Sequence, residues 1–124
     1  ELMNVSDNDI DLTGVRIGGG VDFEFGSIVL GAGERVLVVN TAGNFVGVNV
    51  AGEYDGKLSN GGEEIVVDTG YPYEVTVLEF EYSDLWYPES DGVGYSLGVR
   101  DVEAERSSWG EQESWEAVLP SPGY

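Results

Sequence analysis

Apolar and polar residues alternate along much of this chain, and glycine-rich turns interrupt the alternation at short intervals. Val21, Phe23 and Phe25 are separated by Asp22 and Glu24, which is the two-residue period of a strand with one buried face. Further strands are predicted in runs rich in Val, Ile, Phe or Tyr. These runs are Leu12 to Ile17, Arg35 to Val39, Phe45 to Val50, Glu64 to Asp68 and Glu74 to Tyr82. In the last run, the residues expected to face inward are Thr76, Leu78, Phe80 and Tyr82.

The turns between these runs favour an all-β fold. The chain contains nineteen glycines, many of them in the turns between these runs. Asn60-Gly61 is the strongest short hairpin signal because both residues tolerate positive φ. Many short strands with closely spaced turns indicate a β-sandwich or barrel rather than βαβ units. Only Val102 to Trp115 is compatible with a helical turn or two. Without a repeat or a dividing linker, residues 1–124 are predicted to form a single domain.

The charge of the chain restricts its chemistry and its partners. It has 24 acidic and 5 basic side chains, no His and no Cys, and a formal net charge of -19. Triads that need His or Cys are therefore excluded, and binding to nucleic acid is not expected because phosphate contacts rely on Lys and Arg. Basic proteins, cations and neutral glycans remain compatible partners. No run approaches the roughly 20 apolar residues of a membrane-spanning helix, so membrane insertion is not expected.

A series of short landmarks extends over nearly the whole chain. In order they are Glu1-Leu2 with Asn4 and Ser6, Asp11-Leu12-Thr13-Gly14, Ile28-Val29-Leu30 with Gly33-Glu34, Leu58-Ser59-Asn60-Gly61-Gly62-Glu63, Trp86-Tyr87-Pro88, Asp91-Gly92-Val93-Gly94-Tyr95-Ser96-Leu97 and Pro120-Ser121-Pro122-Gly123. This ordered set resembles the lamin tail domain family, in particular its bacterial and archaeal members. One departure is Val15, which stands where the family often has Trp.

The resemblance implies an immunoglobulin-like β-sandwich of about eight or nine short, mostly antiparallel strands. It also implies a non-enzymatic interaction or accessory module, of a kind often attached to large exported prokaryotic proteins. Such a module would mediate protein, surface or glycan contacts, or act as a spacer. Because the sequence begins at Glu1 rather than Met, we expect a module from a larger protein, with an extracellular or cell-surface location.

Three aspartates near the start of the chain are candidate metal ligands. Asp7, Asp9 and Asp11 could gather oxygen atoms round Ca²⁺ if the segment curls. An EF-hand loop starting at Asp7 would require Gly and Glu where Leu12 and Gly18 stand. The three aspartates nevertheless raise an alternative function, a calcium-stabilised adhesion or surface module. No other cofactor is predicted.

Neighbouring glutamates raise the less favoured alternative of a small hydrolase. Glycoside hydrolysis needs two carboxylates about 5–10 Å apart across a sugar, and an acidic chain supplies such pairs by chance. The pairs are Glu63 with Glu64, Glu79 with Glu81, and Glu111 with Glu113. A cleft is also required, and a small sandwich without long loops seldom builds one.

Aromatic residues in the loops are the candidate binding surface. Flat rings can stack on sugars or anchor a protein interface, although rings in a small sandwich are more often packed. The candidates are Trp86, Tyr87, Trp109 and Trp115, with Tyr71 and Tyr73 in the same set.

Overall fold

The chain folds into β-strands and short 3-10 turns, without an α-helix. A computed structural model describes all of residues 1–124. The strands are β1 (Leu2–Met3), β2 (Ile10–Asp11), β3 (Arg16–Gly19), β4 (Val21–Glu24), β5 (Val29–Leu30), β6 (Arg35–Val39), β7 (Val50–Glu53), β8 (Asp55–Gly56), β9 (Glu63–Asp68), β10 (Thr76–Tyr82), β11 (Ser96–Val99) and β12 (Trp115–Val118). The 3-10 turns are Ala42–Asn44, Asp84–Trp86, Pro88–Ser90, Arg106–Ser108 and Gln112–Ser114. The prediction of an all-β fold is confirmed. The chain has 12 strands rather than the predicted eight or nine, and four of them have only two residues each.

The strands form one large sheet and three smaller ones. The large sheet has the order β10-β9-β3-β4-β8, and a second sheet has the order β1-β6-β7. Strands β11 and β12 pair with each other, as do β2 and β5. Every pairing is antiparallel except that of β6 with β7. The predicted mostly antiparallel arrangement is therefore observed.

One apolar core joins the two larger sheets. Ile17, Val21 and Val67 contribute from the five-stranded sheet, and Val36 contributes from β6. Phe25 lies among them with only 2% of its surface exposed. Two sheets that bury a shared set of inward side chains are consistent with a β-sandwich.

A buried asparagine ties the start of the chain to this core. Asn4 is 3% exposed, and its Nδ2 donates hydrogen bonds to the carbonyls of Leu30 at 2.9 Å and Asn8 at 2.8 Å. Its Oδ1 accepts from the backbone N–H and the hydroxyl of Ser6. These bonds satisfy the buried amide, as a polar group in a core requires.

Two of the predicted strands are misplaced. The run from Phe45 to Val50 is not a strand; it follows a 3-10 turn and leaves Val46 91% exposed, and regular pairing begins at Val50. Gly47 adopts a φ of 79° there, which interrupts extended backbone. In the run from Leu12 to Ile17, the first four residues form a turn with Gly14 at a φ of 79°. The strand starts at Arg16.

The remaining local expectations are met in part. On β10, Leu78, Phe80 and Tyr82 are half-buried as predicted, whereas Thr76 is exposed. The residues from Val102 to Trp115 contain two 3-10 turns and no longer helix. The structure contains no helix with the length and apolar character needed to span a membrane.

The prediction of a hairpin at Asn60-Gly61 is wrong, because the strands on either side of this turn do not pair with each other. A turn is present at these residues, but the flanking strands β8 and β9 do not pair. Strand β8 pairs with β4, and β9 pairs with β3 and β10. Both flanking strands belong to the same sheet, in which β3 and β4 lie between them.

Candidate binding loop

The loop between β9 and β10 presents two tyrosines to solvent. Tyr71 and Tyr73 are each 81% exposed, and they flank Pro72 at the tip of the loop. Aromatic rings in solvent offer a large contact area with few rotatable bonds. Residues Thr69 to Glu74 are here called the tyrosine loop.

Hydrogen bonds within the loop hold its shape. The backbone N–H of Gly70 donates to a carboxylate oxygen of Asp68 at 2.6 Å, and that of Glu74 donates to the Gly70 carbonyl at 2.7 Å. Thr69 and Val75 close the base through two bonds of 2.9 and 3.0 Å. Because these backbone groups are already ordered, a partner would lose less conformational entropy on binding.

Gly70 anchors the tyrosine loop to the turn before β3. Its φ is 70°, and a Cβ atom built on it would overlap the carbonyl oxygen of Gly14. Only glycine fits a left-handed backbone at such close approach. The loop therefore rests directly on the neighbouring turn.

An arginine on β3 adds a charged contact to the same loop. The guanidinium of Arg16 lies 3.2 Å from a carboxylate oxygen of Glu24 and 3.5 Å from one of Glu74. The hydrogen bond to Glu24 is the main cause that raises the pKa of Arg16 above its ordinary value. Since Arg16 is partly exposed and both glutamates are largely exposed, the contribution to stability is small.

Apolar exposure continues from the loop into β10. Val75 is 57% exposed and Val77 is 38% exposed. The tyrosines and these valines lie in one stretch of chain, and acidic Glu79 and Glu81 follow on the same exposed side. Exposed apolar patches with a polar rim are typical of interaction sites.

The four aromatic residues predicted as a binding surface lie together, with Trp115 buried and the other three half-buried. Trp115 is 8% exposed, and its ring centroid lies 5.9 Å from that of Trp109 and 6.4 Å from that of Trp86. Phe80 of β10 lies 5.0 Å from Trp115. The indole N–H of Trp115 donates to the Trp109 carbonyl at 2.7 Å. This cluster packs the paired strands β11 and β12, called the C-terminal hairpin, against β10.

Tyr87 lies at the margin of this aromatic cluster and is half-buried. Its hydroxyl donates to the carbonyl of Gln112 at 3.2 Å and accepts from Arg100 at 3.4 Å. Arg100 also donates to the Trp115 carbonyl at 2.7 Å. Among the aromatic candidates, the structure thus exposes Tyr71 and Tyr73 and uses the tryptophans for packing.

The three aspartates proposed as calcium ligands are exposed and do not converge. No group of three or more acidic side chains is arranged to hold a metal ion. The carboxylate of Asp11 instead accepts from the Thr13 hydroxyl at 2.6 Å and from the Thr13 N–H at 2.9 Å. These bonds, the hydroxyl first, lower the pKa of Asp11. Asp7 lies in a bend at residues 6–8, and Asp9 follows that bend.

The glutamates in the pairs considered for hydrolysis line neither of two surface depressions. The larger depression, about 580 Å³, lies between β6 and the C-terminal hairpin, and Glu1 is its one carboxylate. The smaller, about 340 Å³, includes Asp7 and Glu103. Glu79, Glu81 and the other paired glutamates belong to neither. Neither depression therefore holds two of these carboxylates in position to flank a sugar.

Comparison with known proteins adds no relative. No family model, curated protein or solved structure matches this chain. The resemblance to the lamin tail domain family therefore stays a prediction, and function is argued from the tyrosine loop.

Proposed function

We propose that this chain is a non-enzymatic interaction module that contacts a protein partner through the tyrosine loop. The lamin tail domain family, which the sequence resembles, leads to the same class of function and to an exported location. The observation that carries the proposal is the 81% exposure of both Tyr71 and Tyr73 on a hydrogen-bonded loop.

The exposed rings have the properties of an interface anchor. Tyrosine is enriched at the energetic centres of protein interfaces, where its ring is buried and its hydroxyl forms a hydrogen bond. The loop is also fixed before binding by Gly70 and by the bonds at its base. Rigid aromatic groups of this kind gain affinity because little freedom remains to be lost.

The neighbouring aliphatic side chains favour a protein over a glycan. Val75 and Val77 extend the exposed surface away from the rings, and aliphatic groups bury well against apolar protein surface. Sugar stacking needs flat rings alone. A glycan partner is therefore the competing outcome in the experiment.

A photocrosslinking experiment tests the role of the loop. Benzoylphenylalanine replaces Tyr71 in one variant and Tyr124, which is 76% exposed elsewhere, in a control variant. We expect a specific protein crosslink from position 71 that excess unlabelled wild-type protein abolishes. The Tyr71→Ala/Tyr73→Ala protein should fail to compete, whereas Tyr124→Ala should compete fully.

Other outcomes of this experiment would overturn the proposal. Glycan-array binding that the double alanine variant loses, with no protein crosslink, would assign the loop to a sugar. Equal crosslinking from positions 71 and 124 would show that the loop is ordinary surface. No crosslink and no glycan binding would leave the module as a spacer.

A further inference from the structure

Strand β10 has one edge that pairs with no other strand, and the 3-10 turn Arg106–Ser108 contacts β10. It is the longest strand, with seven residues, and it stands at one end of the five-stranded sheet. A strand in this position pairs on one side only, so half of its backbone groups face away from the sheet.

The hydrogen-bond pattern shows which residues face inward to the sheet. The backbone N–H of Gly20 donates to the Glu64 carbonyl at 3.2 Å, so the peptide groups of Glu64 face β3. In an antiparallel ladder successive residues face opposite neighbours. Ile65 therefore faces β10 and exchanges bonds with Phe80, which stands directly opposite.

The same alternation turns the peptide groups of Glu79 and Glu81 toward the free edge. Neither residue takes part in any backbone bond outside the ladder, and both are exposed. The carbonyl of Val77, which also points outward, accepts a bond from the Arg106 guanidinium at 3.2 Å. The open stretch thus begins after Val77 and offers two N–H donors and two carbonyl acceptors.

The side chains beside this stretch are acidic. Glu81 stands directly opposite Glu64 on β9, both exposed, and Glu79 lies two residues away on the same face. Directly opposed like charges destabilise a sheet, and a cationic neighbour would relieve that repulsion. Pairing of β10 with a second copy would instead bring Glu79 and Glu81 against the same residues of the other copy.

We propose that the free edge of β10 binds an extended protein segment containing Lys or Arg, which adds to the sheet as another strand. Its backbone would pair with the peptide groups of Glu79 and Glu81, and its cations would face the carboxylates of Glu79 and Glu81. Such strand addition takes affinity from the backbone and specificity from alternate side chains. This inference extends the proposed function by naming a partner chemistry, but it does not depend on Tyr71 or Tyr73.

Amide hydrogen exchange measured by NMR on the full chain tests the pairing directly. In the free protein, the N–H groups of Leu78 and Phe80 should be protected and those of Glu79 and Glu81 should exchange freely. The probe is an end-blocked peptide of eight alternating Lys and Thr residues. We expect it to slow exchange at Glu79 and Glu81 by at least about tenfold, because the new ladder bonds must open first.

Two variants separate the backbone contribution from the charge contribution. Glu81→Pro removes an N–H that points away from the sheet, so it leaves the ladder with β9 intact and should abolish protection at Glu79. Glu79→Gln/Glu81→Gln keeps the backbone and should weaken peptide binding about tenfold. Glu89→Gln/Glu113→Gln removes the same charge elsewhere and should weaken it far less.

Several results would overturn the inference. The first is peptide binding without protection of the two amides, which would be charge attraction alone. The second is an equal loss of affinity in both glutamine variants. The third is no binding at low ionic strength. Tyr71→Ala/Tyr73→Ala should leave this peptide binding unchanged, so a failure here is distinct from a failure of the tyrosine loop.

Discussion

Replacement of Gly70 by alanine tests whether the tyrosine loop is anchored on its neighbouring turn. Two costs arise at this position. The left-handed φ of 70° costs a residue with a side chain about 1–2 kcal/mol. In addition, the new Cβ would overlap the Gly14 carbonyl oxygen, so the backbone must move and the bonds that shape the loop must distort. We expect a total loss of about 3–5 kcal/mol in the free energy of unfolding.

Gly33 provides a matched control for this substitution. Its φ is 75°, and a Cβ added there meets nothing within 4 Å. Gly33→Ala therefore isolates the backbone cost of about 1–2 kcal/mol. Urea denaturation followed by tryptophan fluorescence measures both variants. In thermal scans a protein of this length loses roughly 4 °C of Tm per kcal/mol. The expected decrease in Tm is therefore about 4–8 °C for Gly33→Ala and about 12–20 °C for Gly70→Ala.

The difference in stability loss between the two variants measures the contribution of the contact between Gly70 and Gly14. Equal losses of stability for Gly70→Ala and Gly33→Ala would show that the loop does not rest on Gly14. The preorganisation argued for Tyr71 and Tyr73 would then fail. A larger loss at Gly70, with faster amide exchange at Glu74, would support it.

Three further predictions concern stability. Asn4→Ala should cost about 2–3 kcal/mol because it orphans buried backbone partners, against less than about 1 kcal/mol for exposed Asn49→Ala; urea denaturation measures both. Burial raises the pKa of Tyr82 above 10.0, so its stabilising contribution is present below that pH and is lost as pH rises through the folded-state pKa. Tyr82→Phe should therefore lose less stability than wild type between about pH 9 and about pH 11, and an equal loss would refute this. Glu64→Lys should raise stability by about 0.5–1 kcal/mol by placing opposite charges across from Glu81, and no gain at low salt would contradict it.

Strand positions were predictable where the alternation is local and uninterrupted. The run from Arg35 to Val39 forms β6 with the same bounds, and Glu64 to Asp68 forms β9 with one added residue. The run from Phe45 to Val50 failed because Gly47 takes a positive φ that composition does not reveal. Backbone conformation at glycine depends on its surroundings, since both signs of φ are open to it.

The sequence by itself determined the strand-forming pattern, the acidic surface and the types of aromatic residue available. Tertiary structure alone decided which aromatic rings are exposed. Trp115 is covered by the nearby Trp109 and by Phe80, which is distant from it in sequence, whereas Tyr71 and Tyr73 lie at the tip of a loop. It also decided that β10 stands at the edge of its sheet. The physical reason is that alternation fixes which residues of a strand share a face, whereas neighbours in a sheet are chosen by burial of the whole core.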